Sequence, residues 1–339
     1  MAIVGNNNLT LLDLSRRMED KKIAAIIELL SNENEILQDL VMVQCNNGTG
    51  HKTTVRTGLP AGTWRKLNYG VAKDKSQTKQ VEDSTGMLEA YSEVDKDLVK
   101  LSQNPARARA TEDEAFIESF NQTMATTLIY GDTDTDPEKF MGLTPRYDTP
   151  ATAKTASGYN MIDGGGTSSG PYDNTSLWLI VWGERTVHGL YPAGLNAGLE
   201  VTDLGEETLT DAAGGYYQGY RTHYKWNLGF TVRDWRYAVR ICNLDVSALV
   251  AAVSAADLTR MMIQAEERVQ SLTSGRAAWY CNRTVRTYLR TQILEKANVN
   301  LTFENVGGKP VMMHDGIPVR RVEAILNTEE TVAGTFASV

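Results

Sequence analysis

A long polar stretch from Val41 to about Val99 places the strongest constraint on how this chain can fold. Apolar and polar residues alternate along it between Gly and Pro residues, a pattern that predicts long strands joined as a hairpin. The middle, VRTGLPAGTWRKLNYGVAKDKSQTKQ, has too little apolar surface to fold back on a core by itself. The sequence therefore predicts a hairpin, roughly His51 to Met87, that projects from the body.

The centre of this hairpin carries the residues that we expect to contact a partner. Trp64 and Leu67 are the predicted apolar anchors, because a desolvated aromatic near the centre of an interface often carries most of the binding energy. Arg65 and Lys66 lie between them, and acidic residues follow, so the predicted partner is a mixed-charge surface of a neighbouring subunit. The alternative is an ordinary surface hairpin packed on its own domain.

The N-terminal segment predicts a short amphipathic helical arm. Ile23, Ile26, Ile27 and Leu30 follow one another at helical spacing behind the charged RRMEDKK. The stripe is too short to form a core, so Ile23 and Ile27 are predicted to dock on the body or on a neighbouring subunit.

A central helix is predicted over ATEDEAFIESFNQTMATTLIYG. Thr111 and Glu114 have the spacing of a capping box, and Gly131 is placed as a C-terminal stop. The predicted apolar face consists of Phe116, Ile117, Phe120, Met124 and Leu128.

The rest of the chain predicts a mixture of strands and helices. The segment from Thr149 to Tyr172 has the composition of a loop, GEETLTDAAGG that of a turn, and the aromatic-rich stretches around them that of antiparallel strands. A helical stripe from Leu258 to Leu272, a strand AAWYC, a helix from about Asn282 and three final strands complete the prediction.

Composition excludes several classes of protein. The chain has 339 residues, 42% of them hydrophobic, which is enough for one elaborate domain or two ordinary ones. A net charge of −8 argues against a broad basic face for nucleic acid. The sequence shows no signal-peptide pattern and no apolar run of the ~18 residues that a membrane span needs. Cys45, Cys242 and Cys281 are far apart in sequence and are predicted to be small core residues.

Three alternating aspartates, Asp132, Asp134 and Asp136, suggest a calcium loop. An EF-hand also needs glycine at its sixth position and glutamate at its twelfth, where this chain has Pro137 and Leu143. We therefore expect a solvated acidic turn, with a calcium-binding module as an alternative function.

Other apparent catalytic motifs lack the context that their chemistry needs. The segment Gly166 to Gly170 matches G-x-S-x-G, but no strand or helix is predicted beside Ser168, so a serine hydrolase is only an alternative. In GTGHKTT, Gly48 to Thr54, a histidine interrupts the phosphate-loop pattern. The four histidines lack metal-ligand spacing, so we expect each of them at the surface or hydrogen-bonded in the core. The pairs Glu206–Glu207 and Glu266–Glu267 are expected on solvated faces. No catalytic residue, metal site or cofactor is predicted.

Several segments, in order along the chain, resemble major capsid proteins of tailed bacteriophages. They are NEILQDLVMVQCNNGTGHKTTVRTGLPAGTWRKLNYGV, LIYGDTDTDPEKFMGLTPRY, TSLWLIVWGERTVHGLYPAG, THYKWNLGFTVRDWRYAVRICNLD, GRAAWYCNRTVRTYLR and DGIPVRRVEAI. The resemblance implies an α+β chain with the Hong Kong 97-type capsid fold. Its parts would be an N-terminal arm (1–40), an extended hairpin loop (41–100), a peripheral domain with a spine helix and long strands (101–245), and an axial domain with a return strand (246–339). One feature differs from the commonest members, because the aromatic strand block precedes the Gly-Ile-Pro-Val segment here.

The resemblance also implies a function and partners. The subunit would self-assemble into the icosahedral shell that encloses phage double-stranded DNA, and would not be an enzyme. Its main partners would be many copies of itself, arranged as hexamers and pentamers, with scaffolding, portal and decoration proteins. Contact with the packaged DNA would be weak, in keeping with the acidic charge, and no membrane would be involved. The expected location is the virion, after assembly in the host cytoplasm.

Overall fold

The fold is known from a computed structural model, which describes residues 18–19, 22–23, 34–101, 105–166, 173–211, 213–250, 258–295, 301–306 and 309–337. The strands are β1 (Met18–Glu19), β2 (Lys22–Ile23), β3 (Met42–Gln44), β4 (Gly50–Gly58), β5 (Gln77–Asp95), β6 (Met161–Asp163), β7 (Asn174–Trp182), β8 (Val187–Tyr191), β9 (Gly198–Thr210), β10 (Tyr216–Val232), β11 (Ala238–Asp245), β12 (Arg276–Cys281), β13 (Leu301–Val306), β14 (Lys309–His314) and β15 (Ile317–Arg321). The helices are α1 (Ile36–Asp39), α2 (Lys96–Leu101), α3 (Pro105–Tyr130), α4 (Val246–Val250), α5 (Leu258–Arg268) and α6 (Arg283–Glu295).

Most of the described strands belong to one mixed sheet. Its main path runs β13-β14-β15-β12-β7-β8-β10-β5-β4. Four strands branch from this path: β11 pairs with β7, β6 with β11, β3 with β8, and β9 with β10. Antiparallel pairs β8–β10, β7–β11 and β9–β10 confirm the antiparallel pairing predicted for the aromatic segments.

The central strand β7 is buried along its whole length, because both of its faces are covered. Successive side chains of a strand point to opposite faces, so its residues divide between two cores. Leu177, Leu179 and Val181 pack with α5, α6 and β15. Trp178, Ile180 and Trp182 pack with the end of α3, β10 and the C-terminal segment.

The long helix α3 confirms the predicted central helix but begins six residues before Thr111, so the predicted capping box is wrong. Proline is favoured at the first helical position, and the Ala-Arg residues that follow are strong helix formers. Phe120 is buried against Tyr224, with ring centroids 6.2 Å apart. Ile117 is 44% exposed and does not belong to the buried face.

The predicted stop at Gly131 is confirmed, because α3 ends at Tyr130. A Cβ atom on Gly131 would lie 2.5 Å from the carbonyl oxygens of Thr127 and Phe140. Only glycine allows the chain to turn this closely at the end of the helix.

The N-terminal arm differs from the prediction at Ile23. Lys22–Ile23 pairs antiparallel with Met18–Glu19, so Ile23 lies in a short strand rather than a helix. An isolated helix of this length is marginal because nucleation is costly, and β-branched Ile favours extended backbone. Ile26, Ile27 and Leu30 lie outside the described residues.

Two segments predicted to be irregular contain strands. Met161–Asp163 pairs in parallel with Arg240–Cys242, and Met161 is buried. Gly205–Thr210 extends β9, where Leu209 is buried, so the predicted turn narrows to the residues just before β10. Both segments have weak strand propensity of their own. Pairing with a neighbouring strand gives their backbone N–H and C=O groups hydrogen-bond partners and so makes them strands.

The last third follows the prediction closely. Met262 and Ala265 of α5 and Val285 and Leu289 of α6 join the core beside β7. The side chain of Asn282 accepts a hydrogen bond from the backbone N–H of Val285 and so caps α6. Strands β12, β13, β14 and β15 occupy the predicted segments, and the three cysteines are buried and unpaired. Among the described residues, no helix has the length and apolar character to cross a bilayer.

A buried ion pair ties the C-terminal segment to the sheet. Arg240 and Glu329 lie 2.9 Å apart, and their side chains are 3% and 6% exposed. The guanidinium of Arg240 also donates to Ser176 and to the carbonyl of Tyr147, while Tyr130 donates to Glu329. Every charge in this cluster therefore has a hydrogen-bond partner, as a buried pair requires.

Replacing Phe120 by Ala should destabilise the unassembled subunit by about 3 to 5 kcal/mol, through lost transfer energy and the cavity left behind. The control is Ile117→Ala on the exposed side of the same helix, for which we expect about 0.5 kcal/mol. Urea unfolding of both variants measures the difference. Equal losses would show that the helix buries a different face.

Replacing Glu329 by Ala should cost about 3 to 5 kcal/mol, because it leaves the Arg240 guanidinium buried without its anion. Lys139→Ala is the matched control, since it breaks an exposed pair with Asp136 and should cost less than about 1 kcal/mol. Both values come from denaturant unfolding. A small loss for Glu329→Ala would mean that water reaches Arg240.

Candidate assembly surface

The hairpin formed by β4 and β5 extends directly from the body sheet. The two strands pair from Gly50–Ser84 to Gly58–Gln77. Strand β5 then continues into the body, where residues from Thr85 onward pair with β10. One strand of 19 residues, roughly 60 Å long, therefore belongs to both the hairpin and the body.

The tip of the hairpin, residues 59–76, exposes large apolar side chains. Trp64 is 101% exposed and Leu67 is 86% exposed. The other large apolar side chains of the tip, Leu59, Tyr69 and Val71, are exposed as well. Arg65 and Lys66 are also exposed between the two anchors. No described residue of the same chain covers these side chains.

The tip nevertheless has a defined shape. The carboxylate of Asp74 accepts hydrogen bonds from the backbone N–H groups of Ala61, at 2.6 Å, and Lys75, at 2.8 Å. These hydrogen bonds hold the pKa of Asp74 below its usual range. Asn68 adopts a left-handed conformation with φ of 66° at the turn. The two sides of the tip are thus fastened to each other, while its apolar side chains remain uncovered.

The root of the hairpin is fastened to the body through Asp83. Arg146 donates to one carboxylate oxygen of Asp83 at 2.7 Å, and Thr231 donates to the other. The same guanidinium donates to three backbone carbonyls, those of Met141, Gly142 and Phe230. Residues from the hairpin, from the turn after α3 and from β10 therefore meet in one buried polar cluster.

Two buried histidines lie beside this cluster. His51 is opposite Asp83 in the β4–β5 pair, and His188 is opposite Thr231 in the β8–β10 pair. Their ring centroids are 5.8 Å apart, and three of their four ring nitrogens have no hydrogen-bond partner among the described residues. Burial, with further effects from His51 and Arg233, lowers the pKa of His188 to about 4. Burial lowers the pKa of His51 as well. Both rings are therefore neutral near pH 7.

The expectation that the histidines lie at the surface or in hydrogen bonds holds for His314, which is hydrogen-bonded to Glu266, and is wrong for His188. His188 is fully buried without such a bond among the described residues, because strand pairing carries it into the sheet. Glu266 was also expected on a solvated face, but it lies 2.8 Å from the His314 ring and accepts from Trp279 at 3.2 Å. Glu266, His314 and Asp315 together offer three potential metal ligands within 4.8 Å of one another. The half-buried Glu266 and the buried His314 already form a hydrogen bond with each other.

The acidic turn after α3 has the hydrogen bonds of a turn. Asp132 accepts from the backbone N–H of Asp134 at 3.0 Å and from the hydroxyl of Thr135 at 2.9 Å, and Asp136 pairs with Lys139 at 2.7 Å. These contacts engage two of the three carboxylates that a calcium loop would need.

The other two apparent motifs give no site either. Gly48 adopts φ of 64° in a tight turn that leads into strand β4. A phosphate loop leads into a helix, so this described segment does not have the structure of one. Ser168 lies outside the described residues.

A small apolar cleft lies where the hairpin meets α3. Its volume is about 80 Å³, and it is bordered by Met87, Leu88, Thr123, Met124, Glu138 and Phe140. Met87, at its edge, is 61% exposed. Sequence analysis missed this cleft and the Asp83 cluster, because their members are far apart in sequence and each alone is an ordinary strand or helix residue.

An α+β body with a long hairpin whose apolar tip no described residue covers is the architecture of a subunit that is completed by its neighbours. A family model described as major capsid protein GP7 matches residues 18–333, and the chain belongs to this family. It is a structural subunit of a bacteriophage capsid and has the Hong Kong 97-type capsid fold.

Solved structures and curated proteins were also compared with the chain. A chain in the cryo-EM structure of bacteriophage Epsilon15 is 37% identical, with a TM-score of 0.77, over 98% of this chain and 99% of that chain. The capsid of bacteriophage JBD30 is 11% identical, with a TM-score of 0.48, over 88% of this chain and 92% of that chain. No curated protein matches the chain.

Stability should fall as the pH falls from 6.5 towards 4, because the folded protein disfavours protonation of His188. Its folded pKa is about 4, below the usual 6.5, so the neutral ring contributes its full stability above pH 6.5. The total loss is on the order of 3 kcal/mol. The variant His188→Leu removes the titration and should show a shallower dependence over this range in urea unfolding. Identical pH profiles for the variant and the parent would contradict the assignment to His188.

Proposed function

We propose that this capsid subunit assembles through its hairpin tip, with residues 59–76 of each copy contacting a neighbouring copy. One observation carries the proposal: Trp64 is fully exposed on a tip whose shape and root are both fixed. A mobile loop could turn an exposed indole towards its own chain. Strand pairing up to Gly58–Gln77 and the hydrogen bonds of Asp74 fix this tip, so none of the described residues of its own chain covers the indole, whereas a neighbouring copy can.

The same reasoning favours a contact that contributes little to the fold of its own subunit. Trp64 and Leu67 are outside the hydrophobic cores formed by the described residues. Arg65 and Lys66 lie between Trp64 and Leu67, where they can pair with acidic groups of the facing surface. We retain Ile23 and Ile27 of the arm as further contact candidates, the former as a strand residue.

The complete particle that we propose is an icosahedral shell of hexamers and pentamers around double-stranded DNA. Net charge of −8 supports a wall that holds its DNA weakly, because tight binding requires clustered Lys and Arg. Scaffolding, portal and decoration proteins are the further partners that we propose, in line with the capsid family. We also propose that the subunit is not an enzyme and that its parts follow the borders 1–40, 41–100, 101–245 and 246–339. No contact among the described residues favours hydrolase or calcium-binding chemistry.

The variant Trp64→Ala tests the role of the tip. We expect the unassembled subunit to keep its melting temperature, because the described residues of its own chain leave the indole uncovered, while assembly decreases or requires different salt. Thr63→Ala, an exposed small residue in the same tip, is the control and should assemble like the parent. Differential scanning calorimetry and electron microscopy measure the two properties. A large loss of melting temperature with normal assembly would show that the hairpin belongs to the core of its own subunit.

A further inference from the structure

Two carboxylates and an imidazole meet between helix α5 and the turn that joins β14 to β15. Glu266 lies on α5, His314 ends β14, and Asp315 begins the two-residue turn before β15. One potential ligand atom from each of the three lies within 4.8 Å of the other two. Glu266 and His314 form the inner part of the group, and the exposed Asp315 borders solvent. A cation can therefore enter beside Asp315.

The carboxylate of Glu266 is buried without a basic lysine or arginine beside it. Its side chain is 9% exposed, and among the described residues no Lys or Arg forms an ion pair with it. Three other buried carboxylates each pair with an arginine, namely those of Asp39, Asp83 and Glu329. Buried charges in proteins are paired or coordinate metal ions. Glu266 lacks the partner that the other three have, which points to a cation as its ligand.

The inner part of the site is already held in place by its surroundings. Glu266 accepts from the indole Nε1 of Trp279, at 3.2 Å, and lies 2.8 Å from Nδ1 of His314. Both contacts are made by Oε1, which leaves Oε2 for a cation. The His314 ring packs edge-on against the same indole, with ring centroids 6.2 Å apart. Contacts of this kind around a metal site orient its ligands and raise the affinity for the metal.

One nitrogen and two carboxylate oxygens select a particular class of cation. Ca²⁺ and Mg²⁺ prefer about six or more ligands, all of them oxygen. Zn²⁺ accepts histidine nitrogen and carboxylate oxygen, and many zinc sites have three protein ligands and an open position. Zinc bonds of about 2.0–2.2 Å put neighbouring ligand atoms about 3 to 3.5 Å apart. The hydrogen-bonded pair of Glu266 and His314 needs to open only slightly to match, and the exposed Asp315 can rotate towards it.

We propose that Glu266, His314 and Asp315 bind one Zn²⁺, or a divalent cation with the same ligand preference. Nδ1 of His314 and one oxygen of each carboxylate are the ligands, and water takes the fourth position. The cation fastens helix α5 to the β14–β15 turn within a single subunit.

The surroundings of His314 set the affinity that we expect. Ligation through Nδ1 leaves the ring proton on Nε2, which is buried and has no hydrogen-bond partner among the described residues. The loss of such an outer partner lowers metal affinity about 10- to 100-fold. We therefore expect the site to fill at micromolar rather than nanomolar zinc.

Zinc titration of the unassembled, chelator-treated subunit tests the site. Isothermal titration calorimetry near pH 7 should show one Zn²⁺ bound to each parent subunit. Asp315→Asn should bind at least tenfold more weakly, because a charged ligand is lost. Asparagine tolerates the left-handed φ of 45° at this position, so the variant keeps the turn.

The control for this titration is Glu267→Gln, which changes an exposed acid next to Glu266 on the same helix. It should bind zinc like the parent. Equal affinities for the parent and Asp315→Asn, or no binding by the parent, would overturn the site.

Melting temperature gives a second test with a different readout. A cation that binds only the folded subunit raises its melting temperature. Zinc should raise the melting temperature of the parent and of Glu267→Gln, and should leave that of Asp315→Asn nearly unchanged at the same concentration. Magnesium at that concentration should shift none of the three, because it disfavours the nitrogen ligand. Equal shifts with magnesium and zinc would overturn ligation by His314.

Discussion

Burial of strand β7 on both faces is the constraint on which the rest of the structure depends. A strand with one wet face alternates apolar and polar residues, whereas β7 reads SLWLIVW without a charge. Each of its two apolar faces must pack against another element. Helices α5 and α6 pack on one face, and the end of α3 packs on the other. The pairing of β7 with β11 and β12 then joins the middle of the chain to its last third.

The body in turn gives the hairpin a rigid foundation. Strand β5 is paired with β10 inside the body and with β4 outside it, so bending at the root would break ladder hydrogen bonds. The Asp83 cluster adds charge-assisted hydrogen bonds at the same place. Neutral His51 and His188 complete this region without adding positive charge next to Arg146 and Arg233. A stiff hairpin loses little conformational entropy when it binds, which favours its use as a connector.

How much of this could be predicted depended on whether a signal was local. Strand β7, the buried Phe120 and the exposed Trp64 follow from short patterns, because periodicity and composition record local burial. The sequence contains two competing signals for the start of α3, a capping box at Thr111 and a proline at position 105, and the helix begins at the proline. The strand at Ile23 and the parallel strand β6 depend on pairing partners that no local pattern reveals. The Asp83 cluster and the Met87 cleft arise only when residues distant in sequence are brought together.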